Sequence, residues 1–223
     1  IGKNQASQFF GSSIMTLHDL LQTGADDAIA ISAPGRAPLS YRGLRALLAA
    51  TMASLNAAGL GRNHRLAIVL PNGPEMATCF LACASAVTSA PLNPAYRADE
   101  FEFYLDDLQA KALIVEHGST SPAVEAAKKL GVQVIELVVA EGAPAGQFSL
   151  GALPAAPCEK GGPSEAGDVA MVLHTSGTTS RPKRVPLSVA NLCASAQQIA
   201  ATLQFTPQDR SLNIMPLFHI HGL

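Results

Sequence analysis

The chain has 223 residues, is 48% hydrophobic, and carries 15 Lys+Arg against 17 Asp+Glu for a formal net charge of -2. That is enough apolar material for one large globular domain or two small ones. The charge is balanced and unclustered, so it leaves no electrostatic footprint for nucleic acid or an anionic membrane, and small molecules are the expected partners.

The longest uncharged apolar stretch, residues 76–87, contains Thr78 and Ser85 and falls short of the roughly 18 residues that a bilayer span needs. Ile1-Gly2-Lys3-Asn4-Gln5 has no initiator Met and no signal-peptide pattern, and Phe218-His219-Ile220-His221-Gly222-Leu223 has no polar tail. Both ends are read as truncations. Cys79, Cys83, Cys158 and Cys193 have no spacing that suggests a disulfide framework or zinc knuckle, which fits reduced thiols in an intracellular protein. A cytoplasmic location is expected, or a peroxisomal one in a eukaryote.

In chain order, apolar residues at helical spacing predict a helix from Ser40, as N-cap, to a stop at Gly59. Residues 65–70 read as a buried strand, Pro71-Asn72-Gly73-Pro74 as a turn, and 75–87 as an apolar helix. A loop at Pro91-Leu92-Asn93-Pro94, a helix over 99–108, a strand over 112–115, a helix over 122–130 and a strand over 132–139 follow. Strands alternating with helices predict an α/β fold, with a mostly parallel sheet covered on both faces. Residues 140–167, rich in Gly, Pro and Ala, read as a surface connection or a seam. The expected division is 1–165 as a first α/β subdomain and 166–223 as the start of a second.

The strand-like Val169-Ala170-Met171-Val172-Leu173 runs into His174-Thr175-Ser176-Gly177-Thr178-Thr179-Ser180-Arg181-Pro182-Lys183, then into Val185-Pro186-Leu187. Thr175, Ser176, Thr178 and Thr179 supply hydroxyls, Gly177 permits close backbone approach, and Lys183 adds a point charge, a combination suited to cradling a polyphosphate. The Gly-x-x-x-x-Gly-Lys-Ser/Thr spacing of P-loop NTPases is absent, and Gly59-Leu60-Gly61-Arg62-Asn63-His64 lacks the third glycine of a dinucleotide site. Composition alone fits a Ser/Thr-rich hairpin without a ligand equally well. Ser188 reads as the N-cap of a helix reaching Leu203.

The stretch from His174 to Lys183 resembles the phosphate loop of the adenylate-forming superfamily of acyl-CoA synthetases, luciferases and adenylation domains. Met215-Pro216-Leu217-Phe218-His219 is similar to a second motif of that family. Val69-Leu70-Pro71-Asn72-Gly73-Pro74-Glu75 and Pro91-Leu92-Asn93-Pro94-Ala95-Tyr96 are weaker matches. The chain departs from the usual pattern at Ser180 and Arg184, where glycines are common. Ser180-Arg181 resembles the oxalate-CoA ligase branch, while Arg184 either is strained at positive φ or projects into solvent near the phosphates.

The resemblance implies an AMP-forming acid–thiol ligase using ATP, Mg²⁺ and coenzyme A. Thr175, Ser176, Gly177, Thr178, Thr179 and Lys183 would hold ATP, with Thr178 also serving the metal. His219 would stand beside the acyl carboxylate as catalytic and substrate-binding residue, and His221 would line the acyl pocket. The same resemblance puts the ribose-binding Asp, the hinge and the catalytic Lys beyond Leu223, so the 223 residues alone are expected to be inactive. Two other readings stay open: an adenylation domain that loads a carrier protein, and a non-catalytic piece that acts in association. His219 and His221, two apart, would share a face if they lay on a strand, which raises a metal pair as a further alternative.

Overall fold

The computed structural model describes residues 15–175 and 182–223. After the short helix α1 (Leu17–Gln22), strands β1 (Ile29–Ile31) and β2 (Leu39–Ser40) form a small antiparallel pair. Then come α2 (Tyr41–Ala57), β3 (Arg65–Val69), α3 (Pro74–Ala84), β4 (Thr88–Pro91), α4 (Ala98–Leu108), β5 (Ala112–Glu116), α5 (Pro122–Lys129) and β6 (Gln133–Val138). The chain continues with β7 (Ser149–Leu150), β8 (Val169–Thr175), β9 (Lys183–Ser188) and α6 (Val189–Leu203).

Seven strands form one sheet in the order β7-β6-β5-β3-β4-β8-β9. The five inner strands are parallel, and the edge strands β7 and β9 are antiparallel to their neighbours. Sheet residues alternate between two cores, as a two-residue period demands. Leu66, Ile68, Ile114 and Ile135 pack under α2 and α3. Ala67, Val69, Leu113, Val115 and Val172 pack under α4 and α5 through Phe101, Leu105, Leu108 and Ala127. Each fully buried large side chain contributes about 1.5–3 kcal/mol. A third cluster joins Met171 and Leu173 of β8 to Val189 and Cys193 of α6.

The α/β class and the mainly parallel sheet agree with the sequence reading, while several details are corrected. The apolar helix ends at Ala84 rather than near 87, capped at Ser85. Pro91 closes β4 instead of opening a loop, paired with Ile68. A terminal strand position tolerates its missing N–H. The stretch 140–167 is more than a surface connection: Ala145 and Phe148 are buried, and β7 pairs with β6. Cys79 and Cys83 sit fully buried in α3, and the Cys83 hydrogen bond together with burial holds the Cys79 thiol well above its usual pKa. No helix among the described residues is long and apolar enough to cross a membrane.

Candidate functional site

In a parallel sheet flanked by helices, ligands gather beyond the carboxyl ends of the strands. The segments singled out in the sequence meet that edge. β8 ends at Thr175, β9 returns from Lys183, and the two residues oppose each other across the ladder, followed by His174 opposite Arg184. Thr175 and Lys183 are exposed. Ser176, Gly177, Thr178 and Thr179, and with them the metal role expected of Thr178, lie outside the described residues.

His174 and Arg184 share a face of the hairpin that looks toward the C-terminal turn of α4. Asp107 Oδ2 lies 3.0 Å from His174 Nε2 and 3.2 Å from Arg184 Nε. Arg184 Nη1 also donates to the Asp107 carbonyl at 2.8 Å. Helix C-terminal carbonyls lack intrahelical donors, and a cation there also suits the helix dipole. Arg65 serves the next carbonyl, that of Leu108. The His174 ring meets Tyr104 edge-on, with centroids 4.6 Å apart and planes at 64°, and Tyr104 stacks on Tyr96 at 4.8 Å. Burial and the Tyr104 hydroxyl hold the Tyr96 phenol well above its usual pKa. Arg184 is thus unstrained, being absent from the positive-φ residues, and its half-exposed guanidinium leaves the hairpin toward Asp107.

The second candidate segment rests on the turn after β3. Leu217 N–H donates to Asn72 Oδ1 at 2.8 Å, and Asn72 Nδ2 donates to the Met215 carbonyl at 3.4 Å. Leu217 is buried in the α2–α3 core. His219 and His221 lie in a turn, not on the strand that would have aligned them, because Gly222 folds back with its N–H on the His219 carbonyl at 2.8 Å. Their rings stack with centroids 5.0 Å apart and Nδ1 atoms 3.2 Å apart, both exposed. Among the described residues, no three His, Cys, Asp or Glu side chains are grouped to hold a metal. No hydrogen bond or ion pair among the described residues links this turn to the hairpin, but Leu223 packs against the cluster that contains Leu173.

A cleft of about 490 Å³ opens on the same edge at the ends of β3, β5 and β6, lined by Asn72, Gly73, Glu75, Glu116 and His117 among others. None of Thr175, Lys183, His219 or His221 lines it. The Asp107 clasp and the Asn72 anchor went unmarked in the sequence. The Asn72 turn stood within a motif, but Asp107 carried no signal beyond its place in the last turn of a helix.

A family model described as AMP-binding enzyme matches residues 21–223. The chain is 37% identical over 217 residues to an oxalate–CoA ligase of Arabidopsis thaliana, covering 93% of this chain and 42% of that protein. It is 38% identical over 189 residues to an oxalate–CoA ligase of Saccharomyces cerevisiae, covering 73% and 34%. Among solved structures, apo MatB from Rhodopseudomonas palustris matches with a TM-score of 0.75 at 28% identity, over 93% of this chain and 42% of that one. The ATP-bound form of MatB matches with the same TM-score of 0.75 at 26% identity, again over 93% and 42%. The chain thus spans less than half the length of each of these proteins.

Proposed function

Because this chain belongs to the AMP-binding enzyme family, we propose that the complete protein is an AMP-forming acid–CoA ligase acting on a short polar acid such as oxalate. The supporting observation is the β8–β9 hairpin, which reaches the carboxyl edge of the sheet with Thr175 opposite Lys183 at the two ends of a hydroxyl-rich motif. The oxalate–CoA ligases of two organisms supply the substrate class, and the ATP-bound MatB supplies the nucleotide.

In this reading a carboxylate oxygen attacks the α-phosphorus of ATP, and the bond to pyrophosphate breaks. The CoA sulfur then displaces AMP from the acyl carbon. The chain's part is to position and neutralise charge. Thr175, Ser176, Gly177, Thr178 and Thr179 offer hydroxyl and backbone donors to the β- and γ-phosphates, and the Lys183 ammonium offsets the charge that builds on the departing pyrophosphate. A Mg²⁺ carried by the phosphates would take oxygen ligands such as a threonine hydroxyl and would supply further charge neutralisation. Thr178 is the residue assigned to it.

His219 orients the acid's reacting carboxylate. His221 offers a hydrogen bond to a second polar group, at a cost against alkyl chains that leave it unpaired. The division proposed at 165/166 falls between β7 and β8 in the chain, although β8 and β9 join the same sheet as the strands before them. The four unpaired cysteines are in keeping with a reducing compartment such as the cytoplasm.

The test is ATP–pyrophosphate exchange by the complete protein, with the acid varied. Exchange that depends on acid, with kcat/KM higher for oxalate or another short polar acid than for medium-chain fatty acids and hydroxycinnamates, is expected. The reverse ranking overturns the substrate class, and exchange indifferent to any acid overturns the activity. Thioester formation with CoA or with a phosphopantetheinyl carrier protein as acceptor, measured separately, distinguishes the carrier-loading alternative, which no relative named above supports.

A further inference from the structure

We propose that Asp107 is a positioning residue for ATP, acting through a clasp that fixes both strands of the β8–β9 hairpin to the end of α4. This rests on the reading of Thr175 and Lys183 as phosphate contacts. The last ladder pair before the motif's tip is Thr175 with Lys183, and the pair behind it is His174 with Arg184. A single carboxylate oxygen engages both members of that second pair, at 3.0 and 3.2 Å. Cross-strand neighbours tied to one anchor cannot shift register independently.

The surroundings are built for that task. His174 has a side chain only 6% exposed, held between Asp107 and the edge of Tyr104. Arg184 is 48% exposed, so its Asp107 contacts contribute little to global stability, yet its bond to the Asp107 carbonyl at 2.8 Å adds a second tether from β9 to α4. β9 is an edge strand, with no partner on its far side among the described strands. Without the clasp, Lys183 is carried by the β8 ladder alone. Arg184 stands where the family pattern commonly has glycine, so the clasp is a feature of this chain's own sequence.

The test uses the complete protein and compares Asp107→Ala, Asp107→Asn, Arg184→Ala and Lys183→Ala in pyrophosphate exchange. Asp107→Ala is expected to raise KM for ATP about fivefold to tenfold, as befits the loss of a coupled contact, while KM for the acid stays within about twofold. Asp107→Asn keeps an acceptor oxygen and should recover most of the loss. Arg184→Ala should raise KM for ATP in the same direction, and the double variant should be no worse than Asp107→Ala. If Asp107→Ala does not fold, the exposed Arg184→Ala decides the matter alone. The clasp is overturned if Lys183→Ala impairs ATP use and neither Asp107→Ala nor Arg184→Ala does, or if both substrates' KM values rise together. If Lys183→Ala leaves ATP use unchanged, the phosphate reading falls first and the clasp's role falls with it.

Discussion

The backbone N–H of Leu217 donates to Asn72 Oδ1 at 2.8 Å across 145 positions of sequence, so the turn after the central strand β3 carries the segment that holds His219. Substituting Asn72→Ala leaves the Leu217 N–H and the Met215 carbonyl without that partner, at a cost of roughly 1–3 kcal/mol. In the complete protein this variant should melt earlier and show a higher KM for the acid than for ATP, relative to the parent. Equal effects on both substrates would mean that the anchor does not serve the acid side of the site.

Lys183 opens β9 with an exposed side chain, and no hydrogen bond or ion pair among the described residues uses it. Lys183→Ala should therefore leave stability within about 0.5 kcal/mol. Loss of a charge-assisted bond to phosphate predicts a fall in exchange activity of roughly 10- to 100-fold. Thermal melting and exchange kinetics on the same preparation check both halves. A variant that unfolds, or that retains full exchange, contradicts the assignment.

The strands visible in the sequence are those whose own residues demand burial: β3, β5 and β8 carry apolar runs, and β6 alternates buried with half-buried positions. β4 was invisible because Thr88-Ser89-Ala90-Pro91 is short, small and ends in proline. It becomes a strand only because β3 and β8 flank it, with Thr88 Oγ1 donating to the Val169 carbonyl at 2.6 Å. The two-residue β7 depends in the same way on β6. For the proposed site, residue types marked Thr175 and Lys183, while His219 and His221 were marked only by the family resemblance. The supports were illegible because Asp107 lies 67 and 77 positions from the residues it engages, a separation that no local periodicity encodes. The shared face that a strand would have given His219 and His221 is not formed, because Gly222 turns the chain back on Pro216.

That turn gives a sharp steric prediction. A Cβ on Gly222 would stand 2.2 Å from the Pro216 carbonyl oxygen and 3.1 Å from that of Met215, and both are backbone atoms that cannot swing aside. Gly222→Ala should cost about 1–3 kcal/mol and displace the stacked His219–His221 pair, raising KM for the acid. Gly167→Ala is the control, because its Cβ would meet nothing within 4 Å. If the two variants melt alike, the close approach at Gly222 is not a constraint.

Asp168 makes an acid-range prediction. Its Oδ2 accepts from Glu165 N–H at 2.7 Å and its Oδ1 from Asn63 Nδ2 at 2.8 Å, while Arg62 Nε lies 2.7 Å away. Asn63 Oδ1 in turn accepts from Val169 N–H at 2.9 Å, so the carboxylate ties the turn before β3 to the start of β8. Burial pushes the Asp168 pKa up. The Glu165 N–H, the Asn63 amide and the Arg62 guanidinium together more than offset that and leave it below its ordinary value. A carboxylate with a lowered folded pKa contributes stability that is fully present above the unfolded value of about 3.9 and is lost as pH falls through the folded one. Asp168→Asn should therefore lower stability at pH 7 by about 1–3 kcal/mol, and the gap from the parent should close as pH drops below that unfolded value. Denaturant midpoints of the two proteins, taken from pH 7 down to the acid limit of folding, check this; a gap that stays constant with pH would assign the loss to packing rather than to the charge.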